Sequence, residues 1–461
     1  MPGTQAIVIG GSIAGLLAAR VLSEYFDMVI VIERDKLPAG TDYRPGTPQA
    51  RHLHTMLIRG EQALCRLFPG FEEDLKQAGA VQARWGLDNR FCTVGGWTPR
   101  FDSGYRSHIM GRIRLEYLVY ARVSALANVR FVTETEVTGL LTSPDNRQVN
   151  GVFTRSRVNQ IEDRIPAQLV VDASGRNSKA SQWLTQLGYP APQETVIDAH
   201  CGYATRWYKR SDEFSPEVIA IQTRPNAGLM RGGGLMTVED HQVVVTLMGG
   251  AGDYPPTDEE GFNAYARSLA DPALYEAIQQ LTPVSAITGY RRLNNRRLHF
   301  ERLTRRPEHF LVMGDAAAAL NPIYGQGMTK AVLEAELLQK LLQGRDVSKL
   351  VGLAARFQRE LAKVMKGAWM MATGEDMRFP GVEGATPWLG DRIGHAYMDW
   401  VAQAMPSSQL VTKHFFEVMT LLRPAASMMR PATLIRVVWH NLRAIGRGRN
   451  TPALQSVEVT A

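Results

Sequence analysis

Three short segments carry the residue types that could do chemistry in this chain. Near the start stands Gly10-Gly11-Ser12-Ile13-Ala14-Gly15, with the acid Glu33 beyond the next apolar run. In the middle comes Asp172-Ala173-Ser174-Gly175-Arg176-Asn177-Ser178. Later, Gly314-Asp315-Ala316 leads into Asn321-Pro322-Ile323-Tyr324-Gly325-Gln326-Gly327-Met328. Glycines permit tight turns and close backbone approach, and acids at strand ends accept hydrogen bonds from sugar hydroxyls. That combination suits the holding of a phosphate-rich dinucleotide. No Ser/His/Asp set and no carboxylate pair stands out, so no protein group is nominated as catalytic acid or base. A bound cofactor would have to supply the reactive centre.

Stepping outward from each segment gives the elements that must position it. Ala6–Ile9 is a short apolar run of the kind that forms a buried parallel strand, Leu16–Leu22 has helical spacing, and Met28–Ile32 predicts a second strand ending at Glu33-Arg34. In this unit Gly10 allows the turn and Gly15 lets the helix pack on the strand. The helix N-terminus, through Ser12, Ile13 and Ala14, offers N–H groups to a pyrophosphate. The Glu33 carboxylate repels a 2′-phosphate, which leaves NAD or FAD. The strand runs Gln168–Val171 and Phe310–Met313 deliver Asp172 and Gly314-Asp315, and Thr329–Leu338 predicts a helix after the last glycine. There Asp315 can accept from a ribityl hydroxyl, and Gly325 and Gly327 admit backbone to an isoalloxazine ring. The tip of the following helix stabilises negative charge on that ring. The second and third segments together select FAD.

The order of the three motifs resembles that of the single-component (class A) flavoprotein monooxygenases, with a p-hydroxybenzoate hydroxylase-like fold, and of the related squalene-epoxidase-like enzymes. The stretch Arg44-Pro45-Gly46-Thr47-Pro48-Gln49-Ala50-Arg51-His52-Leu53-His54 and the segment Asn321–Met328 resemble the branch that includes bacterial polyether-pathway epoxidases. The resemblance runs from about residue 5 to about residue 345. It implies that Gly10, Gly11, Ser12, Ile13, Ala14, Gly15, Glu33 and Arg34 hold the ADP half of FAD. Gln49, Arg51 and His54 join the cofactor site. Arg112 approaches the phosphates, and Val137 touches adenine through its backbone. Asp172 and Gly175 belong to a motif shared by FAD and reductant binding, while Gly314, Asp315, Pro322, Gly325, Gln326, Gly327 and Met328 line the ribityl chain and ring. Pro322 and Gly325 flank the reactive ring.

The implied activity, set in secondary metabolism, inserts one oxygen atom of O2 into an apolar organic substrate through a flavin C4a-(hydro)peroxide, as a hydroxylase or an epoxidase. NADH or NADPH would be the electron source, directly or through a separate reductase. Asp172-Ala173 departs from the Asp-Gly usual in the hydroxylases and is similar to the epoxidase, halogenase and prenyl-reductase side. The alternative is an FAD-dependent reductase or dehydrogenase of a prenyl or polyketide-type substrate, without oxygen insertion. Flavin-dependent halogenases carry a Trp-x-Trp-x-Ile-Pro segment and a dedicated lysine. Trp97, Trp183 and Trp207 sit in no such segment, and this reading ranks low.

Bulk properties narrow the partners. A chain of 461 residues, 45% hydrophobic and 21% charged, fits two or three packed domains. Cys65, Cys92 and Cys201 form no CxxC pair, and His52 with His54 has no companion ligands, so neither a disulfide framework nor a metal is expected. The net charge of +7 draws anions, but no nucleic-acid motif accompanies it. No apolar run reaches the ~18 residues of a membrane span. The start, Met1–Gln5, has no signal-peptide features, and a cytoplasmic location is expected.

In the middle, Glu217–Gln222, Gly234–Val238 and Gln242–Met248 read as strands, the last two as a hairpin through Glu239-Asp240-His241. Met230, Met236 and Met248 could line an adaptable pocket or simply fill core. From about residue 404 the chain interleaves Phe415, Phe416, Leu434, Ile435 and Trp439 with Lys413, Arg423, Arg430, Arg436, Arg443, Arg447 and Arg449, broken by Pro424 and Pro431. Such helices cap a core or make peripheral membrane contact. The expected class is α/β. A Rossmann-like FAD domain (1–195 and 285–345) would carry an inserted, mainly antiparallel substrate sheet (196–284, with parts of 75–110) and a helical region at 346–461.

Overall fold

A computed structural model describes residues 3–37, 40–211, 220–223, 230–291 and 293–446. The chain divides into two compact units. The first comprises Met1–Ala80, Met110–Val196 and Asn294–Met370, and the second Val81–Ile109, Ile197–Leu293 and Met371–Ala461. This division differs from the expected three regions. Residues 285–293 go with the second unit. Residues 346–370 go with the first unit, where helix Leu353–Val364 buries Leu353, Phe357 and Leu361 in its core, and those from Met371 go with the second.

The first unit is built on a five-stranded parallel sheet: β1 (Gln5–Ile9), β2 (Met28–Ile32), β3 (Val129–Val132), β4 (Leu169–Asp172) and β5 (Phe310–Val312), in the order β5-β4-β1-β2-β3. Both faces of β1 are covered, which is why Ala6, Ile7 and Val8 form an unbroken apolar run with no exposure. Helix α1 (Ile13–Leu22) connects β1 to β2, α2 (Arg112–Ser124) precedes β3, and α3 (Gly327–Leu342) follows β5. Strand order reverses at β1, and ligands of such sheets bind outside the strand C-termini at that reversal. A three-stranded antiparallel sheet, Thr135–Thr142, Val149–Ser156 and Glu162–Pro166, completes the nucleotide side.

The second unit holds an eight-stranded sheet whose centre is Gly202–Arg210, Gln242–Gly249 and Arg231–Thr237, all antiparallel. The expected hairpin is present. Asp240 and His241 both take positive φ of 57°, the conformation of a type I′ turn. Of the strand expected at Glu217–Gln222, Glu217–Ile219 lie outside the described residues. Ala220–Thr223 is a strand that pairs in parallel with Asn89–Thr93, which brings part of 75–110 into this sheet. Leu235, Val243, Val245 and Leu247 pack with Phe262 and Leu274 of two short helices. Met236 and Met248 fall one step out of phase with them and share the opposite face, where Thr205 and Thr246 are joined at 2.6 Å.

Candidate cofactor site

The three motifs meet at the C-terminal edge of the parallel sheet. Ala173 donates to the Ile9 carbonyl and Met313 to the Asp172 carbonyl, each at 2.9 Å, so the ends of β1, β4 and β5 lie side by side. Gly10, at φ 103°, turns the chain there, and a Cβ on it would lie 2.7 Å from the Ala173 oxygen. A Cβ on Gly15 would sit 1.8 Å from the Gly10 oxygen, which fixes glycine as the residue that lets α1 close on β1. A Cβ on Gly314 would lie 2.7 Å from the Ala14 Cβ, so the third motif rests directly on the first. Ser12 makes no side-chain cap, and the first turn of α1 contains no acid. Its N–H groups and positive helix end face the turn without internal compensation.

Glu33 is buried and held on three sides. Its Oε2 accepts from Gly11 N–H at 2.6 Å and meets Arg44 Nη1 at 3.1 Å, and its Oε1 accepts from Asp35 N–H at 3.0 Å. A carboxylate offers about four acceptor positions, so one is left for a sugar hydroxyl. Arg44 escaped nomination in the sequence, where it was only part of the resembling stretch. Its other amino group donates to Glu116 at 2.8 Å and to the Gly11 carbonyl at 3.2 Å. Burial works against the Arg44 charge, but Glu116 and Glu33 outweigh it and hold its pKa above the ordinary value. Arg44, Glu116, Tyr117 and Tyr120 line a cleft beside Gly11 and Leu16.

Arg112 is the first residue of α2, where the helix dipole disfavours a cation. Its side chain is 10% exposed, reaches Glu116 at 3.6 Å, and leaves Nε without a hydrogen-bond partner among the described residues. A buried guanidinium in that condition calls for an anion. His54 donates from Nδ1 to the His52 carbonyl at 2.9 Å, since a carbonyl can only accept, and Nε2 is therefore the acceptor nitrogen. Burial, reinforced by Arg112, pushes the His54 pKa down to about 3, and burial with Arg51 lowers His52 to about 4. Both rings are neutral near pH 7.

On the other side, Asp315 is exposed between buried Gly314 and Ala316. Below it lies an arrangement that sequence reasoning missed. Glu334, fully buried in α3, accepts from Gly314 N–H at 2.6 Å and pairs with Lys330 at 2.8 Å; Lys330 is itself 1% exposed. This pair pins the turn that presents Asp315. Pro322 and Gly325 bound a short 3-10 turn, Gly325 has φ 70°, and α3 begins immediately afterwards with no capping side chain on Gln326 and no acid in its first turn. Gln326 and Met328 are buried; Gly325 and Gly327 remain partly accessible. Arg176 ties the second motif to this loop by donating to Asn294 Oδ1 at 2.6 Å and to the Leu320 carbonyl at 3.3 Å.

The remaining candidate residues differ in exposure. Asp172 has no exposure, and its carboxylate accepts from Ser174 N–H (2.9 Å), Ser174 Oγ (2.6 Å) and Ser178 Oγ (2.6 Å). It organises its own loop, including Gly175 at φ 81°, rather than facing outward. Burial raises its pKa against these hydrogen bonds. Arg51 is exposed and lies over the Tyr43 ring at 4.1 Å, and the Arg34 side chain is exposed. The Gln49 carbonyl accepts from His52 N–H at 3.1 Å. Val137 is buried in the three-stranded sheet, two residues beyond Thr135, which donates to the Glu33 carbonyl.

The sequence profile of a family described as FAD binding domain matches residues 3–345. The chain belongs to that family. It is 32% identical to Protein Rv3254 of Mycobacterium tuberculosis (strain ATCC 25618 / H37Rv) over 460 residues, covering 96% of this chain and 94% of that protein. Its fold is shared with the flavin-dependent brominase Bmp2 (TM-score 0.65, 13% identity, 97% of this chain and 100% of that chain). It is shared as well with pqsL of Pseudomonas aeruginosa, described as a probable FAD-dependent monooxygenase (TM-score 0.61, 16% identity, 82% and 98%). The residues present fit FAD. The uncompensated start of α1 and the orphaned Arg112 Nε suit its phosphates, Glu33 its ribose, Asp315 its ribityl chain, and the start of α3 its ring. Among the described residues no helix is long and apolar enough to cross a membrane.

Proposed function

We propose that this chain is an FAD-dependent monooxygenase acting on an apolar organic substrate, on the epoxidase side of its class, with NADH or NADPH as the ultimate reductant. FAD, once bound and reduced, supplies the activation of O2 and the transfer of one oxygen atom. The single observation that carries the reading is the convergence of Gly10–Gly15, Asp172–Gly175 and Gly314–Asp315 on one sheet edge, with the start of α3 following Gly325.

The chain's own residues have separable tasks. The start of α1 and Arg112 neutralise the phosphates. Glu33, oriented by Gly11, Asp35 and Arg44, accepts from the ribose. Asp315 accepts from the ribityl chain on a turn fixed by Glu334 and Lys330. The first N–H groups of α3 lie where negative charge on a reduced ring would be stabilised. With no protein acid or base nominated, the remaining work is to orient the substrate and exclude water.

The test is to supply the FAD-loaded protein with NADH or NADPH, 18O2 and a panel of apolar alkenes and arenes, with bromide and chloride present in parallel. Substrate-dependent oxidation of the nicotinamide with one 18O atom in the product supports oxygenation. Turnover that persists without O2 would assign the chain to the reductase alternative, and a halogenated product would overturn both.

A further inference from the structure

The last helix of the second unit is packed inside out. Helix α5 (Pro431–Gly446) packs on α4 (Leu389–Ala404), and the two are joined by the Asn441 amide donating to the Trp400 carbonyl at 3.1 Å. The residues α5 buries are Thr433, Val437 and Asn441, a narrow and partly polar face. On the other side it exposes Ile435 (66%), Trp439 (56%), Leu442 (57%) and Ile445 (67%). Successive residues of a helix are about 100° apart, which places these four within one arc of roughly 120°. An ordinary surface helix turns such a stripe inward.

Within α5 the charges are of one sign. Helix α5 contains no Asp or Glu, and Arg436 and Arg443 are exposed beside the apolar arc. The Arg443 guanidinium lies over the Trp439 ring at 3.7 Å, so the cation and the aromatic body are presented together. The sequence continues with Arg447 and Arg449. In α4 the two acids are committed: Asp391 accepts from Trp388 N–H, and Asp399 pairs with Arg378. Trp388, Leu389 and Ile393 at the start of α4 are a second exposed apolar segment.

We propose that the outward face of α5 is a docking surface for an anionic phospholipid bilayer, which this protein binds peripherally. A convex rod with an apolar arc, an interfacial Trp and flanking Arg heads is the form that lies in a headgroup layer. The acid-free flank complements the negative charge of that layer. A second copy is a poorer occupant, because a two-fold contact through the same face would set Arg436 and Arg443 against their own counterparts.

The experiment is co-sedimentation of the full-length protein with phosphatidylglycerol vesicles and with phosphatidylcholine vesicles. The protein should pellet with the first and stay in solution with the second, and added salt should release it. The double variant R436Q/R443Q should partition roughly thirtyfold less, taking about 1 kcal/mol per basic residue at the surface. I435E/W439E should not bind at all. Both pairs of positions are exposed, so FAD content serves as the control that the fold is intact. Failure to pellet with either vesicle overturns the proposal, as does undiminished binding of I435E/W439E. A dimer that this variant splits, without any vesicle binding, would assign the face to a second copy instead.

Discussion

The buried Lys330–Glu334 pair yields a sharp test of how the site is held. Replacing Lys330 by Met leaves the Glu334 carboxylate, with no exposure, supported among the described residues by the Gly314 N–H alone. Breaking one half of a buried ion pair costs about 3–5 kcal/mol, because the surviving charge stays out of water. Glu334→Gln keeps an acceptor for Gly314 but leaves the Lys330 ammonium unpaired, and its cost should be of the same order. The double variant K330M/E334Q removes both charges while the amide oxygen still accepts from Gly314, so its cost should be about 1–2 kcal/mol. The double-mutant cycle therefore predicts a coupling of at least about 3 kcal/mol. Urea unfolding of the four proteins without FAD measures the cycle, and FAD titration measures the consequence for the site. Glu334→Ala, which leaves Gly314 N–H without its acceptor, should weaken FAD more than tenfold, whereas K330M/E334Q should stay within a few-fold of the parent. Additive single-variant costs, or single variants below about 1 kcal/mol, would refute the reasoning.

Three further outcomes follow from the same geometry. Arg112→Gln should weaken FAD by roughly 10–150-fold, the worth of a charged hydrogen bond of about 1.5–3 kcal/mol, while barely changing stability without FAD; an unchanged dissociation constant would remove Arg112 from the phosphate site. Gly15→Ala introduces a Cβ 1.8 Å from the Gly10 oxygen. The helix must retreat, stability should fall by about 1–3 kcal/mol or more, and FAD should no longer co-purify; a variant that keeps its FAD contradicts the close packing of α1 on β1. His52 and His54 titrate near 4 and 3 when folded and near 6.5 when unfolded. The unfolded chain thus binds more protons below pH 6.5, and stability falls as pH drops. Between pH 7 and pH 5 the two should account for about 3–4 kcal/mol. H52Q/H54Q should flatten that slope in denaturation curves taken at both pH values, and a slope identical to the parent's would be inconsistent with buried neutral rings.

What could be read from the sequence was whatever the local chain states by residue type. Gly10, Gly15 and Gly314 are demanded by turns and close approaches, and β1, β2, β4 and β5 appear as apolar runs because both faces of that sheet are covered. The rest depends on which surface a side chain meets, and periodicity is silent on that. Lys330 and Glu334 stand four apart on the expected Thr329–Leu338 helix, where spacing does not state burial, and the packing of α3 beneath Gly314 buries them. Arg44 gains its role from Glu33 and Glu116, which lie far from it in sequence. Asp172 was legible as a strand-end acid, but its commitment to Ser174 and Ser178 was not. The apolar spacing of α5 is plain in the sequence, yet nothing local reveals that Thr433, Val437 and Asn441 are the buried side. The C-terminal boundary moved for the same reason: helix Leu353–Val364 belongs wherever its apolar face finds a core.

The most direct measurement is the FAD stoichiometry and affinity of the purified chain, followed by release of the chromophore and its identification. One FAD per chain is predicted, bound tightly by the parent and lost from Gly15→Ala. A folded, colourless protein with no affinity for added FAD would contradict the account.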